Sequence, residues 1–296
     1  MTTATTPTAP IGTRAHQPAG IRAHRPPGGA AHQPAGVPVH RPSGRAGFAS
    51  AVRSEVTKIT SVRSTYWSLL VLIVVTVGIG AAAGASAAHS ASGPSFDPTE
   101  TSLYGLVFGQ LIIAVLGVLT VTSEYSTGMV RTSLTSMPRR GTMVAAKAVV
   151  LAAVGLGTGL VASFGAFFAG QELMGHHINA TLGQPHVLRA VIGGALFLAV
   201  SGLLGLGLGL ILRHAAAAIC AAVGLLFVLF ILALELPSSW RVGTWVPLNA
   251  GSQIWQTVAP AASTHMLSAW TGFAVFCGYA AIAVIGGLIL FRKRDA

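Results

Sequence analysis

Six apolar runs, each close to the twenty residues that a helix needs to cross a bilayer, decide what this chain can become. They lie at Tyr66–Ala88, Leu103–Thr122, Ala148–Gly170, Ala190–Leu212, Ala215–Leu234 and Trp270–Phe291. In lipid every backbone N–H and C=O needs a partner within its own segment, so these runs read as helices and not as strands. Only 8% of the 296 residues are charged, about a third of the usual share, which is too few to cover a water-facing surface. A soluble enzyme built on one large core is excluded, and so is a disordered polyelectrolyte. The sequence predicts an all-α integral membrane protein with six transmembrane helices in residues 66–296, preceded by an amphipathic interfacial helix (46–65) and a disordered tail (1–45).

The basic residues set the orientation. Of the 18 Lys and Arg, seven fall between the start and Lys58, and Arg63 follows at the mouth of the first run. Arg131, Arg139, Arg140 and Lys147 lie between runs two and three, Arg213 between runs four and five, and Arg292, Lys293 and Arg294 after the last. The alternate loops hold only Arg189 and Arg241, beside Asp97, Glu100 and Glu172. Positive residues stay on the cytoplasmic side, so the alternation predicts a multi-pass protein of the plasma membrane with both termini cytoplasmic. It also accounts for the net charge of +11 without a nucleic-acid partner. Membrane lipid is the expected surrounding.

The first 45 residues contain eight of the 15 prolines, five arginines and no acid. His16, His24, His32 and His40 recur every eight residues, each in a segment with Pro and Gly. Such a stretch cannot bury a core, and its spacing does not preorganise metal ligands. A solvated basic tether is the reading. It has no apolar run of signal-peptide type, so no cleavage is expected. From Phe48 the pattern becomes helical: Phe48, Val52, Val56, Ile59 and Val62 form an apolar stripe, with Arg53, Lys58 and Arg63 between them. A helix lying in the membrane plane, basic residues toward the headgroups, fits that pattern.

The chemistry-bearing motifs are absent. There is no phosphate-binding loop and no H-E-x-x-H; His176-His177 with Glu172 and His186 reads most simply as a solvated loop. Cys220 and Cys277 sit inside apolar runs and make no disulfide or metal pattern. No catalytic residue, cofactor or metal is expected. No ionisable group lies at a bilayer midpoint, which speaks against an ion-coupled carrier. Gln110 is the main strongly polar side chain well inside a run, and two roles are open to it, helix contact or a place on a substrate path. Gly105/Gly109, Gly155/Gly159 and Gly205/Gly209 each form G-x-x-x-G, which predicts close helix packing and leaves a protomer interface open. The 237–268 stretch, with Trp240, Trp245 and Trp255, reads as interfacial or re-entrant helices.

The segment between runs two and three carries Glu124, Tyr125, Gly128, Arg131, Leu134, Pro138, Arg139, Arg140 and Lys147 in an E-Y-x-x-G-x-x-R…L…P-R-R…K order. Together with Ser54-Glu-Val-Thr-Lys58 and six runs with cytoplasmic ends, it resembles a type-2 (ABC-2) ATP-binding-cassette transporter permease of GC-rich actinobacterial kind, over residues 48–296. The resemblance implies the membrane-spanning subunit of an ATP-driven exporter, itself no enzyme, dimerising with a like or unlike permease. Its partner would be a cytoplasmic ATPase subunit. By that resemblance Glu124, Met129, Arg131, Leu134, Arg139 and Arg140 form the ATPase-coupling loop. Met129 and Leu134 would seat in a groove on the partner. The arginines pair with acids there or only fix topology, and Glu124 pairs with Arg131 or Arg63. An ion-coupled carrier and a non-transporting membrane anchor or sensor are the rival readings.

Overall fold

The computed structural model describes residues 47–90, 93, 96–126, 140–175, 178–235, 242–258 and 266–294. Among them every regular element is helical. Helix α1 (Phe48–Ser61) leads into α2 (Arg63–Ser90), with an extended residue, Val62, at the corner. A short α3 (Pro98–Leu103) precedes α4 (Leu106–Ser126). Next come α5 (Arg140–Met174) and α6 (Val187–Leu212). Helix α7 (Ala215–Leu234) follows, then the short α8 (Val242–Trp245) and α9 (Pro247–Ser252), a 3-10 turn at Gln253–Trp255, and α10 (Ala269–Arg294). Six of these stretches are long and apolar enough to cross a membrane. The tail and residues 127–139 lie outside the described residues.

The six expected spans are present, with two differences. Helix α5 begins at Arg140 and not near Ala148, because Met143, Val144, Ala145 and Ala146 continue the helix beyond the lipid-length run. The second span starts as a separate turn: Asp97 caps α3 by accepting from the Thr99 and Glu100 N–H groups, and the chain bends at Tyr104–Gly105 before α4. A carboxylate at that position satisfies N–H groups that the helix itself leaves open.

Helices α4 and α6 are the most enclosed spans, whereas α2, α7 and α10 leave most of their surface outward. Helix α6 packs against α4, α5, α7 and α10. Small residues make this possible, and all three G-x-x-x-G pairs serve contacts within the chain. A Cβ on Gly205 would strike the Ala114 carbonyl, and Gly209 faces Val118, both on α4. Gly155 and Gly159 lie against Ala199 and Ala195 of α6, and Gly105 and Gly109 lie against Thr76 of α2. Backbone approach this close is the usual source of cohesion where lipid is as apolar as the side chains.

The α6–α7 hairpin is as tight as its two connecting residues suggest. Arg213 takes a left-handed conformation (φ 56°) and ends α6 through its N–H to the Gly209 carbonyl. His214 caps α7 by accepting from the Ala217 N–H. Five residues of α7, Gly224–Val228, form a π turn.

Within the 237–268 stretch, the described residues form short helices at 242–245, 247–252 and 253–255. Residues 247–255 are largely buried, and Trp255 packs edge-on against Phe197 of α6 (4.5 Å), which stacks on Phe276 of α10 (4.8 Å).

Candidate functional site

Four charged side chains close a ring at the end of the bundle where α1 meets α4 and α5. Glu55 and Lys58 stand one turn apart on α1, Glu124 sits near the end of α4, and Lys147 lies about 10 Å into α5 at 1.5 Å per residue. Lys147 Nζ donates to Glu55 Oε2 (2.7 Å) and Glu124 Oε1 (2.9 Å). Lys58 Nζ donates to Glu55 Oε1 (2.7 Å) and Glu124 Oε1 (2.8 Å). Each ammonium thus bridges both carboxylates, and the four charges sum to zero. Glu55, Glu124 and Lys147 are buried, while the Lys58 side chain keeps 32% of its surface. Taking such ions out of water is costly, and only complete pairing with short charge-assisted bonds offsets it.

This ring adds two partners to one expectation and corrects another. Glu124 is held by Lys58 and Lys147; it makes no ion pair with Arg63, and Arg131 lies outside the described residues. Lys58 turns inward and not toward headgroups, because Glu55 and Glu124 offer it two buried anions. The apolar stripe of α1 is only partly covered: Phe48, Val56 and Val62 are exposed, Val52 and Ile59 are half-buried, and Ala51 and Glu55, on its flank, make the buried contact. Burial by itself pulls the Lys58 ammonium down, but hydrogen bonds and attraction from Glu124 and Glu55 outweigh it and hold the pKa above the ordinary lysine value.

Behind the ring, a cavity of ≈ 10 Å³ is lined by Glu124, Lys147, Tyr125, Met143, Leu210 and Phe291. That is room for about one water. Tyr125 meets Phe291 edge-on at 6.4 Å, and the Arg213 guanidinium stands 5.2 Å from the Tyr125 ring centre. The helix hairpin, α4 and α10 therefore meet at the same end as the ring.

The opposite end carries a second polar network. Besides capping α3, the Asp97 carboxylate accepts from the Thr257 hydroxyl (2.7 Å), the Thr257 N–H and the Val258 N–H (2.8 Å). Arg189 of α6 donates to the Ile254 and Gln256 carbonyls, and Gln256 donates to Glu100. Gln171 of α5 donates to the Pro98 carbonyl and Ser102 Oγ and accepts from the Ala180 N–H. Buried backbone groups outside a regular helix need partners, and Asp97 and Arg189 supply them for the 254–258 turn.

Of the residues singled out in the sequence, Glu124 joins the ring and Gln110 is fully buried in α4. Arg140 opens α5. Met129, Arg131, Leu134 and Arg139 lie outside the described residues. Glu55, the member that completes the ring, was not singled out, although its i, i+3 spacing from Lys58 was the available signal. Among the described residues no group of three or more His, Cys, Asp or Glu could hold a metal; His176 and His177 lie outside them.

Six spans on an all-α bundle, with charge confined to its two ends, define a multi-pass integral membrane protein. Compared with known proteins, the chain matches no family model and no curated sequence.

Proposed function

We propose that this chain is the permease subunit of an ATP-driven exporter of ABC-2 type, seated in the plasma membrane with both termini cytoplasmic. A separate ATPase subunit would supply the work, and a second permease would complete the complex. The observation that carries this reading is the Glu55–Lys58–Glu124–Lys147 ring. It ties α1 to α4 and α5, the two helices between which residues 127–139 run. A push on that segment by a partner would reach both helices and α1 as one body, and rigid shifts of packed helices are a common mode of switching. A membrane anchor has no need of such a tie. An ion-coupled carrier would need an ionisable group free to exchange its ion at mid-depth, whereas this ring is neutral and lies at a bundle end.

The test is co-purification. Extracted in mild detergent from its native membrane, the parent chain is expected to carry ATPase activity through affinity capture. Met129→Asp with Leu134→Asp should abolish that activity, since buried unpaired carboxylates break a groove contact. Protein level and melting temperature should stay near those of the parent. A parent that captures no ATPase overturns the reading.

A further inference from the structure

Three polar side chains at the bundle centre meet no protein partner. Thr76 on α2, Gln110 on α4 and Ser163 on α5 are each 0% exposed. Thr76 Oγ1, Ser163 Oγ and both polar atoms of the Gln110 carboxamide make no hydrogen bond. A hydroxyl in a helix has an easy outlet, the carbonyl one turn back. Thr122 bonds the Val118 carbonyl and Ser201 the Phe197 carbonyl in this way. Thr76 and Ser163 leave it unused, and Gln110 keeps two donors and two acceptor sites unpaired.

These groups belong to one region. Thr76 Oγ1 lies 2.5 Å from where a Cβ on Gly109 would stand, beside Gln110 in the chain. Ser163 Oγ and Leu106 Cδ1 share the bare surface of Gly194, at 2.9 and 2.5 Å from the same kind of point. Leu106 precedes Gln110 by one turn on the same face of α4. Gln110 is roughly halfway along the Pro98–Ser126 span, so the set sits near mid-membrane. The helices around it meet through Gly105, Gly109, Gly155 and Gly159, smooth surfaces that part or slide without uncoupling interlocked side chains.

We infer that Thr76, Gln110 and Ser163 line a polar site on the translocation path, closed in this conformation, that takes uncharged hydrogen-bonding groups: water and the hydroxyl or amide groups of a neutral cargo. The match is to neutral chemistry because the bundle's charges stand at its ends, with Lys147 and Glu124 at one and Asp97, Glu100 and Arg189 at the other. An ion at mid-depth would find dipoles but no countercharge. The inference rests on the transport reading above, and its test is built to fail separately from that reading.

The probe is 2-aminoethyl methanethiosulfonate, which reacts with thiolates and therefore only where water reaches the sulfur. Full-length chain lacking Cys220 and Cys277 would carry Gln110→Cys, with Leu119→Cys on the outward surface of α4 as the lipid-facing comparison. In native membranes supplied with MgATP, where turnover opens the closed site, Gln110→Cys is expected to react about ten-fold faster or more than Leu119→Cys. Thr76→Cys and Ser163→Cys are nearly isosteric and carry the same test if Gln110→Cys does not insert. Rates at all three positions no greater than at Leu119→Cys overturn the site. Fast labelling that ignores MgATP upholds the site and counts against the ATP-driven reading instead.

Discussion

Lys147 shows how a single side chain holds three helices. Replacing it by Met takes from Glu55 and Glu124 the buried ammonium that bridges them, and breaking such a pair from one side costs about 3–5 kcal/mol. The expected result is a large drop in melting temperature in detergent. Adding Glu55→Leu should recover part of the loss, because Lys58 and Glu124 then remain as a pair 2.8 Å apart. A double variant as unstable as the single one would mean that the ring is held by geometry and not by charge balance. Lys58 gives the ring a pH signature. Its pKa is raised in the folded chain, so the stability it contributes is complete below the ordinary value of 10.5 and is lost as pH rises through the folded value. The gap in melting temperature between the parent and Lys58→Met should stay constant from about pH 7 to about pH 10 and narrow only above that.

At the scale of the element, the same substitution should have opposite effects depending on what a helix faces. Gly205→Ala drives a methyl group into the Ala114 carbonyl, and overpacking of that kind costs about 1–3 kcal/mol. Gly157→Ala, on α5, meets nothing within 4 Å and should be neutral or slightly stabilising, since alanine is the better helix former. Thermal melts of the two variants side by side check this. The 254–258 turn depends on Asp97, so Asp97→Ala should raise amide hydrogen exchange at Thr257 and Val258 while leaving α4 and α6 protected. Helix α7 shows what its π turn does. Ala218, Ala222 and Leu226 are buried at steps of four, and Phe230 packs half-buried beyond them. Steps of four overshoot an α-helical turn by about 40° each. A wide turn at Gly224–Val228 takes back part of that drift, so one face of α7 keeps touching its neighbours.

For the molecule as a whole, the six spans, the tight hairpin and the buried 247–255 stretch were legible because bilayer length, the connecting pair Arg213-His214 and the tryptophans are local signals. The ring was only half legible. Lys147 and Glu124 announced themselves as charges at span ends, but their partners lie 92 and 66 positions away in the chain, and no local pattern encodes such a pairing. The inward turn of α1 was hidden for the same reason: its apolar stripe is real, yet the bundle offers α1 two opposite charges and lipid can take the exposed part of the stripe. Orientation in the membrane has a direct check. A cysteine at Glu172, exposed at the Asp97 end, should react with an impermeant thiol reagent on intact cells, and one at Arg53 only after permeabilisation; the reverse pattern would invert the proposed topology.

The central place of α6 also has a meaning in time. Synthesis delivers α2, α4 and α5 to the membrane first, and α2 and α5 can pair at once. The face of α4 bearing Ala114 and Gly117 finds its main cover only when Gly202 and Gly205 arrive on α6. Until then that face of α4 lacks its main cover within the chain. A nascent chain halted after Met174 should therefore be cleared quickly by membrane proteases, and one halted after Leu212 should be the first to persist.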